Sequence, residues 1–181
     1  MLAWLAISLA ASAAWGVILF ASDRGGRRIW PPRRGNWPTA IWAWALTTAI
    51  YVGLINAATA DWNSLQWPFW LRWGIGGAVL TLVSFWVQGR GILDLGLAGT
   101  SGWDVGLVTD GAYARRRHPQ YAGQIVSLVG LGILGGAPAG LLAAVAGCAA
   151  LFYASVVEDL DLARRHGAAH ASYRRTTRFL F

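Results

Sequence analysis

Apolar residues in this chain fall into long runs separated by short polar breaks. The runs cover residues 2–21, 39–60, 69–87, about 120–135 and about 139–157. Each approaches the roughly 20 residues that a helix needs to cross a bilayer. None shows the two-residue alternation of a half-buried strand. The pattern therefore predicts an all-α, polytopic transmembrane bundle of about five spans. No basic segment precedes the first run and its charges follow it, which favours a retained span over a cleaved leader. Gly135-Gly136-Ala137-Pro138 separates the last two runs, so these are expected to form a tight helical hairpin.

The polar breaks are unequal. Residues 22–38 hold Arg24, Arg27, Arg28, Arg33 and Arg34 with Pro31-Pro32, a combination that predicts a basic, non-helical loop. Trp30 and Trp37 flank it as interfacial anchors, and Arg33 or Arg34 is placed to meet an anionic lipid headgroup. The link 61–68 is almost uncharged and crowded by Trp62, Trp67, Trp70 and Trp73, as an aromatic belt should be. Residues 88–110 carry Gly89, Gly91, Gly96, Gly99, Gly102 and Gly106 with Asp94, Asp104 and Asp110. That stretch reads as too irregular to cross lipid and is expected to fold over a site as a loop. Residues 158–181 are charged and amphipathic and predict a helix projecting from the membrane. Its tail, Phe179-Leu180-Phe181, is expected to dip back to the interface. We expect a single membrane domain, 1–181, in which residues 1–87 supply three spans and 88–181 the site.

Composition agrees with the pattern. Of 181 residues, 56% are hydrophobic and 13% charged, about half the charged share of a typical soluble chain. The net charge of +7 would suit nucleic acid, but the basic residues, all arginine, sit beside apolar runs, so no nucleic-acid partner is expected. Every arginine except Arg72 lies in the loops 22–38 and 88–119 or in the segment after Val157. Five spans bring those three regions to one face. The positive-inside rule makes that face cytoplasmic and the N-terminus external.

One polar stretch is richer than an anchor requires: Gly111-Ala112-Tyr113-Ala114-Arg115-Arg116-Arg117-His118-Pro119-Gln120-Tyr121-Ala122-Gly123. Pro119 keeps His118 out of the α region and suits the first turn of a helix. Arginines beside a helix N-terminus suit an anion such as a carboxylate or phosphate. One hairpin later comes Glu158-Asp159, at the end of a span where the helix dipole favours a cation. These acids are about 100° apart around a helix, so each can face a different group. Gly130-Leu131-Gly132-Ile133-Leu134-Gly135 matches GxGxxG literally but lies inside an apolar run with no preceding strand. It reads as small-residue helix packing, including Gly132-xxx-Gly136. His166 and His170 are four apart but lack a third ligand, so no metal is expected.

Gly111-x-Tyr113-x-x-x-Arg117-His118-Pro119-x-Tyr121-x-Gly123, followed by Glu158-Asp159, Tyr173 and Arg178-Phe179, resembles the isoprenylcysteine carboxyl methyltransferase family and the related phospholipid N-methyltransferases. The resemblance covers roughly residues 88–181. It departs at Asp159, where glutamate is usual, and at His170, near a usual acidic position. The resemblance implies an enzyme, an S-adenosylmethionine-dependent methyltransferase acting on a lipophilic acceptor: a prenylcysteine-like carboxylate, a phospholipid amine or a similar small molecule. Its implied cofactor-binding residues are Tyr113, Arg117, His118, Pro119, Tyr121, Gly123, Glu158 and Asp159, with Tyr173 and Arg178 in the substrate pocket. Positioning by Arg117, Glu158 and Arg178 would do most of the catalytic work, since in-line methyl transfer needs little acid–base chemistry. Arg117 and His118 would take the cofactor's carboxylate and Glu158 its ammonium. Asp159 would bind the amine, a ribose hydroxyl or Arg117, and Tyr113 and Tyr121 would wall the adenosine. Sterol reductases using NADPH resemble the same Arg-His-Pro-Tyr region. A non-catalytic lipid-binding membrane protein is the third alternative.

Overall fold

A computed structural model describes residues 1–25, 29–32 and 35–181. Arg27, Arg28, Arg33 and Arg34, and with them the expected headgroup contact, lie outside the described residues. Among the described residues, five helical rods make the bundle: α1 Leu2–Asp23, α2 Trp37–Thr59, α3 Trp70–Thr100, α4 Pro119–Gly135 and α5 Pro138–Thr176. A 3₁₀ turn at Gly111–Ala114 precedes α4. Four of the rods (α1, α2, α3 and α5) are long and apolar enough to cross a membrane. The fifth, α4, has 17 residues, at the short end of what a span requires.

The core is small-residue and aliphatic. Ile50, Leu54, Leu128, Ala143 and Leu151 interlock α2, α4 and α5, and Trp15, Leu19 and Trp30 extend the core toward the basic loop. Glycines let the rods approach. A methyl on Gly123 would come within 2.7 Å of the Gln88 backbone nitrogen, and one on Gly76 within 2.6 Å of that of Leu134. Outward faces carry Phe69, Trp86, Leu93, Leu2 and Val145, all strongly exposed. A water-soluble domain rarely shows so continuous an apolar exterior, whereas lipid covers it. The protein is an integral membrane protein.

Two expectations change. Residues 88–100 are helical, not loop: α3 continues to Thr100 through a single non-helical residue, Gly96 (φ 70°, ψ 173°). The glycines that argue against a helix let it lie close to α4; a methyl on Gly91 would meet Gln120 Cγ at 2.9 Å. The irregular stretch is confined to 101–118. The fifth span and the projecting helix are one rod, 39 residues long, broken only at Gly167 (φ 47°, ψ −116°).

Of the small-residue matches in α4, a methyl on Gly132 would come within 3.1 Å of Ala144 Cβ and one on Gly135 within 2.6 Å of Ala58 Cβ. Gly136, by contrast, caps the helix in the left-handed conformation (φ 57°). Asn63 N–H donates to Gly135 O at 2.8 Å and Leu65 N–H to Gly136 O at 3.1 Å. The α2–α3 and α4–α5 turns therefore meet at one end of the bundle. The basic loop, residues 101–118 and the C-terminal segment meet at the other.

Candidate functional site

Arg115–His118 is held by the tail, with an isolated bridge between Arg116 and Arg178. Arg178 N–H donates to Arg115 O at 3.2 Å, Arg117 N–H to Arg178 O at 2.9 Å and His118 N–H to Phe179 O at 3.3 Å. The Tyr173 hydroxyl donates to Tyr113 O at 2.6 Å, clipping the same stretch to α5. The tail thus packs onto the site: the Phe179 ring lies edge-on to His118 with centroids 5.2 Å apart, and Leu180 is buried. Pro119 opens α4, as its missing N–H allows.

Asp159 sits at the centre of a buried charged cluster. Its Oδ1 accepts from Arg117 Nε at 2.9 Å and lies 3.2 Å from both His118 Nε2 and His170 Nε2. Arg117 Nη1 donates to Thr177 O at 3.0 Å. Asp159 therefore faces Arg117, one of its three expected partners. Nothing in the sequence points to His170 at this place. It lies beyond the break at Gly167, so helical spacing from Asp159 gives no warning of the contact.

Glu158 turns the other way. Its Oε1 accepts from Trp30 Nε1 at 2.9 Å and from the Tyr121 hydroxyl at 2.5 Å. Both donors fall on one oxygen, and no described donor takes Oε2. Trp30, expected as an interfacial anchor, is instead buried and reaches Glu158 across 128 positions of sequence. Residues 1–87 thereby contribute to the site directly.

A cavity opens between these groups, lined by Tyr113, Arg117, His118, Tyr121, Glu158 and Tyr173 among others. Residues 101–110 cover it with Trp103, Val105, Leu107 and Val108. The cover is fixed by Asp104, whose Oδ1 lies 2.7 Å from Arg165 Nη1, while Arg165 Nε lies 2.6 Å from Asp161. Asp104's carboxyl is held below the ordinary carboxylate range, first by the Gly106 N–H and then by Arg165. Burial pushes the Tyr113 phenol well above its ordinary value, so it stays neutral. Of the residues singled out in the sequence, Pro119, Gly123, Asp159 and Arg178 lie outside the cavity wall. Gly123 serves the α3–α4 contact, and Arg178 offers its backbone to Arg117.

A second, larger cavity adjoins the first. It is lined by Trp15, Trp30, Trp44, Thr47, Leu93 and Leu97 among others, and shares Thr100, Gln120 and Tyr121 with the first. Leu93 and Leu97 are largely exposed, so it opens on the lipid-facing side between α2 and α3.

These features define a class: an integral membrane protein with a polar, oppositely charged cavity at one end of the bundle and an apolar chamber beside it. The phospholipid methyltransferase family model matches residues 73–169, more than half of the chain. The chain belongs to the phospholipid methyltransferase family, a group of membrane methyltransferases. Comparison with curated proteins and with solved structures finds no match.

Proposed function

We propose that the protein transfers a methyl group from S-adenosylmethionine to a lipophilic acceptor, with the whole chain acting as one membrane domain. One observation carries the reading: one cavity presents both a carboxylate oxygen without a described donor, Glu158 Oε2, and a guanidinium, Arg117. That pair of opposite charges fits a ligand ending in both an ammonium and a carboxylate. When bound, the cofactor supplies an electrophilic methyl on a sulfonium. Glu158 holds the ammonium, and Arg117 and His118 hold the carboxylate. Tyr113 and Tyr121 supply flat walls for the adenosine. Asp159 keeps Arg117 and His118 in place from behind. The cover over 101–110 keeps water from the reacting centre, and the acceptor enters through the apolar chamber. Most of the rate enhancement then comes from holding the two reactants in line.

The test is calorimetry with S-adenosylhomocysteine on the detergent-purified protein. Wild type binds; Glu158→Ala binds at least about 30-fold more weakly, since stripping a buried charge of its partner costs about 2–5 kcal/mol. Stabilisation by NADPH alone would favour the reductase reading. Absence of binding by either nucleotide would favour a lipid-binding protein.

A further inference from the structure

Tyr121 occupies a place that its motif alone does not explain. It lines both cavities, and its hydroxyl points its proton at Glu158 Oε1. A phenol has one proton to donate and lone pairs to accept. With that proton committed to Glu158, the oxygen has only its accepting capacity left for a second partner. Trp30 Nε1 donates to the same carboxylate oxygen at 2.9 Å and also faces the Tyr121 hydroxyl, so one accepting position of that oxygen is left for a further donor. The neighbouring shared wall residue, Gln120, is already committed: its Nε2 donates to Gly91 O at 3.1 Å and to Thr100 Oγ1 at 3.0 Å.

We propose that Tyr121 is the specificity-determining residue for the acceptor. It accepts a hydrogen bond from the nucleophile's own N–H or O–H at the junction of the two chambers. The site then favours an acceptor with a proton on its reacting atom, an uncharged amine above all, over a carboxylate. A carboxylate offers no proton and would face the Tyr121 lone pairs. For an amine the atoms balance simply. The nitrogen lone pair forms the N–CH₃ bond as the S–CH₃ bond breaks, the sulfonium becomes a neutral thioether and its positive charge passes to nitrogen. The extra N–H proton is then shed to solvent. This inference rests on the methyl-transfer reading.

Three probes with one apolar tail test it on the purified full chain: para-octylaniline, its N,N-dimethyl analogue and para-octylbenzoate. In the cofactor-free protein, para-octylaniline binds about tenfold more tightly than either of the others, the worth of one good hydrogen bond. Tyr121→Phe erases the preference. Trp30→Phe removes the other donor from Glu158 but keeps the Tyr121 oxygen, and it retains the preference. With S-adenosylmethionine carrying a labelled methyl, transfer to para-octylaniline falls about tenfold or more in Tyr121→Phe. A preference absent from wild type, persisting in Tyr121→Phe, or lost equally in Trp30→Phe overturns the assignment. Binding of S-adenosylhomocysteine is measured alongside. If wild type fails to bind it, the methyl-transfer reading falls; if it binds and the preference is missing, only the role of Tyr121 falls.

Discussion

Asp159 shows how much one buried carboxylate can hold. Three cation-capable groups converge on a single oxygen, and two of them, Arg117 and His118, also border the cavity. Removing the acid leaves a buried guanidinium without its counter-charge, which costs about 3–5 kcal/mol. Asp159→Ala is therefore expected to lower the thermal unfolding midpoint sharply in detergent, measured without ligand. Asp159→Asn, which keeps hydrogen-bonding capacity, falls between the two. If Asp159→Ala unfolds with wild type, the cluster contributes no stability. The two neighbouring acids are legible in the sequence as a pair with divergent duties, because adjacent helical positions diverge by about 100°. Which neighbours each acid meets is legible for Arg117 alone. His170 and Trp30 reach the site through a helix break and a long-range loop closure, and local spacing reports neither.

At the scale of elements, the break at Gly167 decides where the end of α5 goes. With φ 47° and ψ −116° it occupies a region open essentially to glycine, and a side chain there costs about 1–3 kcal/mol. Space is not the obstacle, since nothing lies within 4 Å of where a methyl would sit. Gly167→Ala is thus expected to straighten the rod and withdraw His170 and Tyr173 from Asp159 and Tyr113. The measurable outcome is weaker S-adenosylhomocysteine binding together with a lower unfolding midpoint. Unchanged binding would show that the terminal turns do not support the site.

The covering segment 101–110 makes a different prediction, one with a pH dependence. Asp104's carboxyl is depressed when the segment is closed. Its contribution is therefore complete above the ordinary carboxylate range and is lost as pH falls through the lowered value. Limited proteolysis at neutral pH should cut Asp104→Asn within the cover faster than wild type. Acid should remove the difference, because wild type then loses the same charge. The helical continuation of α3 to Thr100 is not legible in the sequence because glycine counts against a helix in water. Here close packing on α4 offsets that cost at Gly91.

At the scale of the molecule, the two interhelical turns meet at one end of the bundle and the charged segments at the other. The hydropathy runs foretell five rods because a bilayer demands apolar length. They cannot foretell the lateral chamber, which arises where α2 and α3 fail to close on each other. Charge gives an expectation for the orientation in the membrane. Arginines gather at the end that holds the site, and by the positive-inside rule we propose that this end faces the cytoplasm, with the N-terminus and residues 61–68 outside. The lone cysteine makes this testable. In a Cys148→Ser background, a cysteine introduced at exposed Ser64 should react with an impermeant maleimide in intact cells. One introduced at exposed Arg174 should react only after permeabilisation. The reverse pattern would put the charged cavity on the outer face, away from the cytoplasmic supply of a nucleotide methyl donor, and would count against the proposed cofactor as well as the orientation.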